Sequence, residues 1–362
     1  MRGLTKKVVA LTAVAAMALA SLTGCAGSVE NSEVVATVGD SKITAGVANF
    51  YIRNQQASIE GYYGSYLGDN MWKTEVEDGM TYEESVKDGA MKTLQDFYIL
   101  RDHMKEFDVT ITDDEKAAIE KAADAFIKAN KKDVLAKISG EKEIVMEVLE
   151  LMTISDKMYD AVVKDVNTEV SDDEAEQKAM QYVLYETSTT NSDGTTAEMS
   201  KDQVKAQKKA AEDFLAKAKE NGSIEAYGKE ASKEAQKATF DKDSTTLPED
   251  VIKAADKLKE GEFAKVIETD AGYYVLQLTS MLDREATDAK KKDIVTERQN
   301  EEYQKVLEGW EDATEIEVDE KVWKKISLHK VKVTEKAKEQ ENATEGSTGA
   351  ATSTDGLTVT EE

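Results

Sequence analysis

The sequence predicts an α+β protein in which long helices predominate and a small antiparallel sheet forms one inserted unit. Only one of the 362 residues is a proline, and the chain is rich in Lys, Glu and Ala, which favours helix. Apolar residues recur at helical spacing over much of its length. Between Leu247 and Leu278 the pattern changes to helix, strand, tight turn and strand, which is typical of a small mixed unit.

This stretch, 247–278, is the best-defined part of the sequence. Pro248 suits the first turn of a helix, and apolar residues repeat at helical spacing from Val251 to Leu258. Gly261 is suited to end that helix. Phe263 to Glu268 and Tyr273 to Leu278 then read as two strands joined by a tight turn. The stretch therefore predicts a compact helix and hairpin.

The residues before this stretch complete the unit. Met180 to Tyr185 is an apolar strand, and a polar loop over 186–200 follows it. Two helices are predicted over 204–218 and 224–237. The predicted order is thus strand, three helices and two strands.

The N-terminal half is predicted to be mainly helical. A strand over 34–38 and a return at 42–43 lead into a helix from Thr44, and residues 62–80 read as a loop. Thr81 with Glu84, and Thr112 with Glu115, have the spacing of capping boxes. Further helices are predicted over 81–107, 112–130, 144–162 and 288–310. From residue 331 the composition favours a disordered tail.

Charge limits the classes of partner. The chain carries 73 acidic and 47 basic residues, for a net charge of -26. A nucleic-acid-binding protein needs a basic surface to meet phosphates, so we expect no nucleic-acid partner. The same charge opposes general adsorption to anionic lipid.

The N-terminus has the pattern of a targeting segment. A basic start is followed by an apolar run over 8–22 that is too short for an ordinary membrane span. The run ends in Leu22-Thr23-Gly24-Cys25, which resembles a bacterial lipobox. That resemblance implies cleavage before Cys25, lipidation of its thiol and attachment of the protein to a lipid bilayer by two acyl chains.

The residue inventory predicts neither a metal nor another cofactor. Cys25 is the only cysteine, which leaves the chain with no disulfide and no cysteine-based metal site. His103 and His329 are the only histidines, and they are far apart in sequence. No phosphate loop, nucleotide fingerprint or Ser-His-Asp pattern is present.

Several short motifs together resemble known families. Leu247-Pro248, Gly261-Glu262 and the run from Thr269 to Tyr273 resemble the C-terminal half of a parvulin-type peptidyl-prolyl isomerase domain. The run over 34–44, beside the lipobox, resembles the start of the chaperone domain in extracytoplasmic foldases of the PrsA and SurA group. The resemblance implies a helical chaperone domain completed by a C-terminal helix, with a parvulin-like domain inserted in it.

The resemblance also implies domain boundaries and a location. The protein is expected on the extracytoplasmic face of the cell membrane, where it would assist the folding of secreted proteins. Its parts would be a signal peptide over 1–24, a lipidated tether over 25–33, a chaperone domain over 34–175 and 285–330, a parvulin-like domain over 176–284, and the tail over 331–362.

Carrying the family pattern onto this sequence identifies candidate site residues. Tyr182 and Tyr274 take the positions of the family's two histidines, and the catalytic candidates are Tyr182, Glu234, Thr269 and Tyr274. The apolar floor for a substrate proline would be Leu247 and Val251. Because both histidine positions hold tyrosine, isomerase activity is left open and is expected to be weak or absent. The alternative role for both tyrosines is ordinary core packing, and the alternative for Glu234 is a solvated carboxylate on a helix.

Three readings of function remain at this stage. The first is a membrane-anchored foldase that acts on unfolded secreted polypeptides. The second is a non-catalytic holdase with the same fold, and the third is a solute-binding lipoprotein, which would require repeated βαβ patterns that the sequence does not supply. Whether the protein forms a homodimer is left open.

Overall fold

A computed structural model describes residues 19–23, 29–68, 70–77, 79–190 and 194–335. The predicted α+β class is confirmed. The strands are β1 Leu19–Thr23, β2 Val34–Val38, β3 Ser41–Thr44, β4 Glu75–Glu77, β5 Met80–Thr81, β6 Lys178–Glu186, β7 Ser188–Thr190, β8 Thr196–Glu198, β9 Gln236–Phe240, β10 Ile267–Thr269, β11 Gly272–Ser280, β12 Ile316–Val318 and β13 Lys332–Glu335. The helices are α1 Ala45–Leu67, α2 Tyr82–His103, α3 Asp113–Ala129, α4 Lys132–Lys137, α5 Lys142–Val162, α6 Lys201–Asn221, α7 Ile224–Glu230, α8 Glu249–Asp256, α9 Arg284–Ala313 and α10 Glu320–Trp323.

The chain divides into two compact units. The first combines residues up to Met158 with those from Gly309 onward, and the second is Tyr159–Glu308. Helix α9 passes from one unit to the other between residues 308 and 309. The domain boundaries given by the family resemblance remain predictions.

The first unit joins the two ends of the chain through a three-stranded antiparallel sheet. Strand β12 pairs with β2, and β2 pairs with β3. Between helices α1 and α3, the rings of Phe50 and Phe126 pack edge to face with centroids 5.3 Å apart. Trp310, which follows the unit boundary, stacks on His103 at 4.3 Å and contacts Phe107 at 5.6 Å. The core of this unit is therefore built mostly between helices.

A buried polar network fixes the segment 323–333 to α1 and α2. Each side chain in the network bonds backbone atoms of that segment, so the contacts depend on the path of the segment rather than on its side chains. The donors are Lys87, which bonds the carbonyls of Trp323 and Ile326, Arg53, which bonds the carbonyl of Ser327, and Gln56, which bonds the carbonyls of Leu328 and Val331. The acceptors are Glu83, which bonds the amides of Leu328 and His329, and Glu60, which bonds the amide of Val333.

The second unit is built around an antiparallel sheet with the strand order β10-β11-β6-β9. The long central pair, β6 and β11, runs with Tyr182 opposite Leu276 and Tyr274 opposite Leu184. One face of the sheet packs against α8, and the other packs against α6 and α7. The buried core of this unit therefore consists of two apolar layers, one on each face of the sheet.

Helix starts agree with the sequence prediction better than helix ends. Both predicted capping boxes are present, with Thr81 opening α2 and Thr112 opening α3. The loop predicted over 62–80 is wrong at its start, because α1 continues to Leu67 and is capped by Gly68, whose φ is +70°. The sequence prediction also omitted α4.

Three further predictions are corrected. The helix predicted over 224–237 ends at Glu230, and the chain then forms edge strand β9. The strand predicted over 263–268 is not continuous, because Phe263 makes an isolated bridge to Gln277 and the ladder begins only at β10. At the C-terminus, β13 occupies the first part of the expected tail, and Val331 and Val333 are buried there.

Parts of the N-terminal prediction lie outside the described residues. Cys25 and Gly24 of the lipobox are not among them, and neither are residues 336–362 of the predicted tail. Residues 19–23 form β1, which pairs with β13. Among the described helices, none combines the length and the apolar character that a membrane span requires.

Candidate functional site

The candidate site lies on the α8 face of the four-stranded sheet. Because side chains alternate along a strand, Tyr182 and Leu184 of β6 point to the same face, and the register of β11 places Tyr274 beside them. The rings of Tyr182 and Tyr274 lie 5.6 Å apart at an angle of 37°. The structure therefore brings together the two residues that the family resemblance assigns to the histidine positions.

The substrate-floor candidates Leu247 and Val251 flank the same cluster. Pro248 is the N-terminal cap of α8, and Glu249 and Asp250 lie in its first turn, where acidic side chains favour the helix dipole. Val251 is 0% exposed, so it supports the floor from inside the core and has no surface that a bound peptide could touch. Leu247 is only partly buried and packs against the cluster. Of these two residues, Leu247 is therefore the one available for contact.

Both tyrosines are neutral phenols at neutral pH. Burial raises the pKa of Tyr182, and burial followed by the charges of Tyr182 and Glu186 raises the pKa of Tyr274. Neither hydroxyl group makes a hydrogen bond to another of the described residues, and the two side chains meet through their rings. The pair thus offers two uncharged hydroxyl groups on an apolar surface.

Thr269 has a local structural role. Its Oγ1 donates a 3.0 Å hydrogen bond to the carbonyl of Gly272, across the turn between β10 and β11. In the ladder the same two residues are direct partners. The hydrogen bond therefore closes the hairpin and is not directed at either tyrosine.

Glu234 is not part of the cluster. It is exposed, in the segment between α7 and β9, just after Ser232, whose φ of +53° ends the preceding turn. Within the described part of the chain it makes neither a hydrogen bond nor an ion pair. Its carboxylate is therefore available to solvent, and no contact directs it toward Tyr182 or Tyr274.

Sequence reasoning missed the residues that surround the tyrosine pair. Leu184 and Ile267 pack against the cluster from β6 and β10, and Ala238 does so from β9. The alternation of β6 was sufficient to find Leu184, since it lies two residues after Tyr182. The sequence pattern could not identify Ala238 as a neighbour, because β9 was predicted as helix.

Gln277 was also missed, although it organises the opposite side of the sheet. Its side chain is buried, accepts a hydrogen bond from the amide of Ile224 and donates to the carbonyls of Gly222 and Gly261. It therefore ties the junction of α6 and α7, and the turn after α8, to the central strand β11. A lone glutamine in a strand gives no sequence signal for such a role.

The arrangement is suited to binding rather than to acid-base chemistry. Apolar side chains and two neutral phenols can hold a proline ring and its apolar neighbours by burial of apolar surface. A phenol can also donate a hydrogen bond to a backbone carbonyl. The charge of Glu186 acts on Tyr274, but among the described residues no carboxylate, imidazole or amine is hydrogen-bonded to either tyrosine as a proton-transfer partner.

Comparisons with known proteins find similarity to foldases. The family described as "PPIC-type PPIASE domain" matches residues 190–293. The foldase protein PrsA of Clostridium acetobutylicum is 26% identical over 326 residues, covering 80% of this chain and 89% of that protein. The PrsA of one strain of Clostridium botulinum is 30% identical over 193 residues, covering 50% of this chain and 55% of its own length.

Solved structures of similar proteins carry related names. A crystal structure of the foldase protein PrsA from Lactococcus lactis shares 20% identity, covers 82% of this chain and 100% of its own, and has a TM-score of 0.31. A structure from Campylobacter jejuni, described as SurA-like chaperones, shares 14% identity with a TM-score of 0.28, covering 79% of this chain and 98% of its own. The predicted resemblance to foldases of the PrsA and SurA group, with a parvulin-type domain, is confirmed.

Proposed function

We propose that the protein is an extracytoplasmic foldase that binds unfolded secreted polypeptides, and that its parvulin-like domain binds client segments with little or no isomerase turnover. The observation that carries this proposal is the tyrosine pair. Tyr182 and Tyr274 occupy the histidine positions and lie 5.6 Å apart beside Leu247, on an intact sheet. The apolar part of a proline-binding site is therefore kept while its usual polar centre is replaced.

Chemical reasoning supports weak turnover. Rotation about a prolyl peptide bond is accelerated when polar groups weaken amide resonance in the twisted state. Positioned polar or acid-base groups typically contribute about two to four powers of ten in rate. Two neutral phenols supply hydrogen-bond donors but no charge, and Glu234 lies in solvent. Client binding needs only apolar surface, so we expect binding to be retained although isomerase turnover is weak.

The assignment of domains is part of the same proposal. The chaperone domain comprises 34–175 and 285–330, and the parvulin-like domain comprises 176–284. The meeting of β2 and β12 in one sheet supports a chaperone domain built from both ends of the chain. Within the parvulin-like domain, Tyr182 and Leu247 offer most of the surface to the client, and Tyr274, which is 5% exposed, offers little. Val251 and Thr269 support the fold.

Membrane attachment rests on the N-terminal motif. The sequence Leu22-Thr23-Gly24-Cys25, preceded by a basic start and an apolar run, supports cleavage before Cys25 and lipidation of its thiol. Two acyl chains give stable attachment to a bilayer. The protein would then be located on the extracytoplasmic face of the cell membrane, where unfolded secreted chains emerge.

Of two alternative functions, one is supported by an observation and the other is disfavoured. A tyrosine-dependent isomerase is the second candidate, because the hydroxyl groups of Tyr182 and Tyr274 have no partner among the described residues and are available to a substrate. A solute-binding lipoprotein is disfavoured, because every strand pair in the described part of the chain is antiparallel. That class requires parallel strands with βαβ crossovers.

A peptide-binding experiment tests the proposed site. The chain without residues 1–24 is titrated with a fluorescent apolar peptide that contains proline. Leu247→Asp should weaken binding about tenfold, because it places a carboxylate on the apolar floor. The matched control is Leu215→Asp, at a partly buried leucine on the opposite face of the same sheet. Equal affinities for both variants would contradict the site.

The same preparation tests the foldase assignment. A chemically unfolded secreted protein is diluted into buffer together with a slight excess of this chain. The chain should reduce aggregation of the unfolded protein, which is measured by light scattering. Circular dichroism of each variant checks that the fold is retained. A wild-type protein that fails to reduce aggregation at any ratio would contradict the proposed function.

A further inference from the structure

The C-terminal end of α1 and the hairpin after it carry an unusual concentration of exposed apolar side chains. These are Tyr62 at 74% exposure, Tyr63 at 45%, Tyr66 at 86%, Leu67 at 55% and Val76 at 48%. We call these five residues the tyrosine patch. Among the described residues only one other large hydrophobic side chain, Met281, is comparably exposed, at 38%. Exposed apolar side chains concentrated in one short part of the chain, residues 62–76, are typical of an interaction site.

The patch has a fixed base. Tyr62 and Tyr63 pack edge to face with ring centroids 4.8 Å apart. Burial and then the neighbouring Tyr63 raise the pKa of Tyr82, whose ring stacks on Trp72 at 5.4 Å. Trp72 is buried, and its indole N–H donates to Glu60 of α1 at 2.8 Å. One pair of stacked rings, Tyr82 and Trp72, therefore connects this region to the core of the first unit, and the charge of Tyr63 acts on Tyr82.

The composition of the segment is that of an adaptable binding surface. Residues 61–70 read GYYGSYLGDN, a mixture of Tyr, Gly, Ser and Asn. Antibody binding loops use the same mixture, because tyrosine offers a large amphipathic contact area at low entropic cost while the small residues adapt. None of the hydroxyl groups of Tyr62, Tyr63 and Tyr66 makes a hydrogen bond to another described residue. Each is available to a ligand.

Packing does not explain the glycines of this segment. A Cβ added to Gly61 or Gly64 would meet no atom within 4 Å. Glycine inside a helix costs about 1 kcal/mol relative to alanine, so these positions weaken the last turns of α1 without any steric need. The two glycines therefore leave open space beside the exposed tyrosines.

The charge around the patch selects the kind of ligand. Residues 61–80 contain four acidic residues and one basic residue, Lys73. Glu75 and Glu77 are exposed on β4, on either side of Val76. Acidic charge repels anionic lipid and attracts arginine and lysine, and an arginine can also stack on tyrosine rings. The patch is therefore complementary to basic and aromatic polypeptide.

We propose that the tyrosine patch is a client-docking surface for extended polypeptide segments that combine basic and aromatic residues. This inference rests on the proposed function and specifies the class of client segment. Each aromatic side chain of the client packs on the tyrosines, and each basic side chain meets Glu75 or Glu77. The site is separate from the tyrosine pair of the second unit and uses different residues.

Binding of designed peptides tests the inference on the chain without residues 1–24. Three unstructured, fluorescently labelled peptides of equal length are compared: one with arginine and tryptophan, one with glutamate and tryptophan, and one with arginine and serine. We expect the arginine–tryptophan peptide to bind at least about tenfold more tightly than either of the others. Its affinity should also fall as salt is added.

Paired variants locate the binding. Tyr62→Ser with Tyr66→Ser should weaken binding of the arginine–tryptophan peptide about tenfold, and Glu75→Gln with Glu77→Gln should remove most of its preference over the glutamate peptide. The control is Met281→Ser, the exposed hydrophobic residue outside the patch, which should change nothing. All substituted residues are exposed, so the fold should be retained.

Several results would overturn the inference. Equal binding of the arginine and glutamate peptides would refute the charge selection. Loss of a dimer in the tyrosine variants, with unchanged peptide binding, would assign the patch to a second copy of the chain. Binding of vesicles that is lost with the tyrosines would assign it to a membrane. If the tyrosine variants bind the peptides normally while the wild-type protein still suppresses aggregation, the inference fails and the proposed function stands.

Discussion

At the scale of single residues, Glu83 shows how a buried charge can fix the path of a chain segment. Its carboxylate accepts hydrogen bonds from the amides of Leu328 at 2.7 Å and His329 at 3.1 Å, and it pairs with the imidazole of His329. Burial alone would raise the pKa of Glu83, but the hydrogen bonds from His329 and from the two amides hold it below its ordinary value. The carboxylate therefore stabilises the first unit in its ionised form.

Replacing this carboxylate should destabilise the first unit. Glu83→Gln is expected to lower the free energy of unfolding by about 2 kcal/mol at neutral pH, because one buried amide loses a charged acceptor. Since the pKa of Glu83 is lowered in the folded protein, its contribution is present above the ordinary pKa of glutamate and is lost as the pH falls through the lower folded value. Urea unfolding at several pH values, followed by tryptophan fluorescence, measures this difference.

The control is Glu143→Gln, an exposed carboxylate on α5. It should change stability by no more than about 0.5 kcal/mol. If Glu83→Gln is as stable as wild type at neutral pH, Glu83 does not hold the segment.

At the scale of elements, the hairpin of β10 and β11 depends on one glycine. Gly272 has a φ of +137°, and a Cβ at this position would lie 2.2 Å from the carbonyl oxygen of Tyr185. Only glycine lets β11 approach β6 this closely, and this approach positions Tyr274 beside Tyr182. The geometry of the candidate site is thus tied to a residue that makes no side-chain contact itself.

Gly272→Ala should therefore destabilise the second unit by more than about 2 kcal/mol, through the clash in addition to backbone strain. The matched control is Gly261→Ala, where φ is +83° but no atom lies within 4 Å of the added Cβ. That variant should lose only about 1 kcal/mol. Because Trp72, Trp310 and Trp323 all belong to the first unit, far-UV circular dichroism in urea is the suitable measurement. Equal losses in the two variants would show that the clash is relieved elsewhere.

Elements with a local chemical signal were predictable from the sequence. The capping boxes at Thr81 and Thr112 placed two helix starts correctly, because hydroxyl and carboxylate at that spacing satisfy the free amides of a first turn. The end of α1 was missed, because its glycines resemble a loop although the helix continues through them. Strand β9 was missed, because its sequence QKATF is polar and its pairing with β6 is a tertiary contact.

The candidate site was predictable only in part. The family resemblance was sufficient to relate Tyr182 to Tyr274, because it assigns both to one histidine pair, and the register of β6 and β11 places them side by side. The complete burial of Val251 was not predictable, because it depends on how α8 packs on the sheet. The solvent position of Glu234 agrees with the alternative role given for it, although the residue does not lie in a helix. The role of Gln277 depends on three backbone atoms that are distant in sequence.

At the scale of the whole molecule, the proposed function joins an anchor, a helical chaperone domain and an inserted domain. The net charge of -26 keeps the surface solvated and repels anionic lipid headgroups. Attachment to a membrane would therefore depend on the lipidated Cys25 and not on the protein surface. Client capture is proposed at the tyrosine patch of the first unit and at the tyrosine pair of the second.

The anchor can be tested by one substitution in the full chain. Cys25→Ser removes the thiol that would carry the lipid, so the variant should incorporate no labelled fatty acid and should remain unprocessed. Radioactive or alkyne-labelled fatty acid, together with the mass of the protein recovered from bacterial cells, measures both effects. Substituting the nearby Ser28→Ala is the control and should leave labelling unchanged. Lipid label on the Cys25→Ser protein would refute the anchor.

The central claim is that the parvulin-like domain keeps its client-binding surface while its isomerase activity is weak. The most direct test is the prolyl isomerase turnover of the chain without residues 1–24. In a protease-coupled assay on a proline peptide, the rate should lie near the uncatalysed background, and Tyr182→Phe and Tyr274→Phe should leave both that rate and the suppression of client aggregation unchanged. A rate far above background that collapses on Tyr182→Phe or Glu234→Ala would contradict the account, and would show that these residues perform the task of the family's histidines.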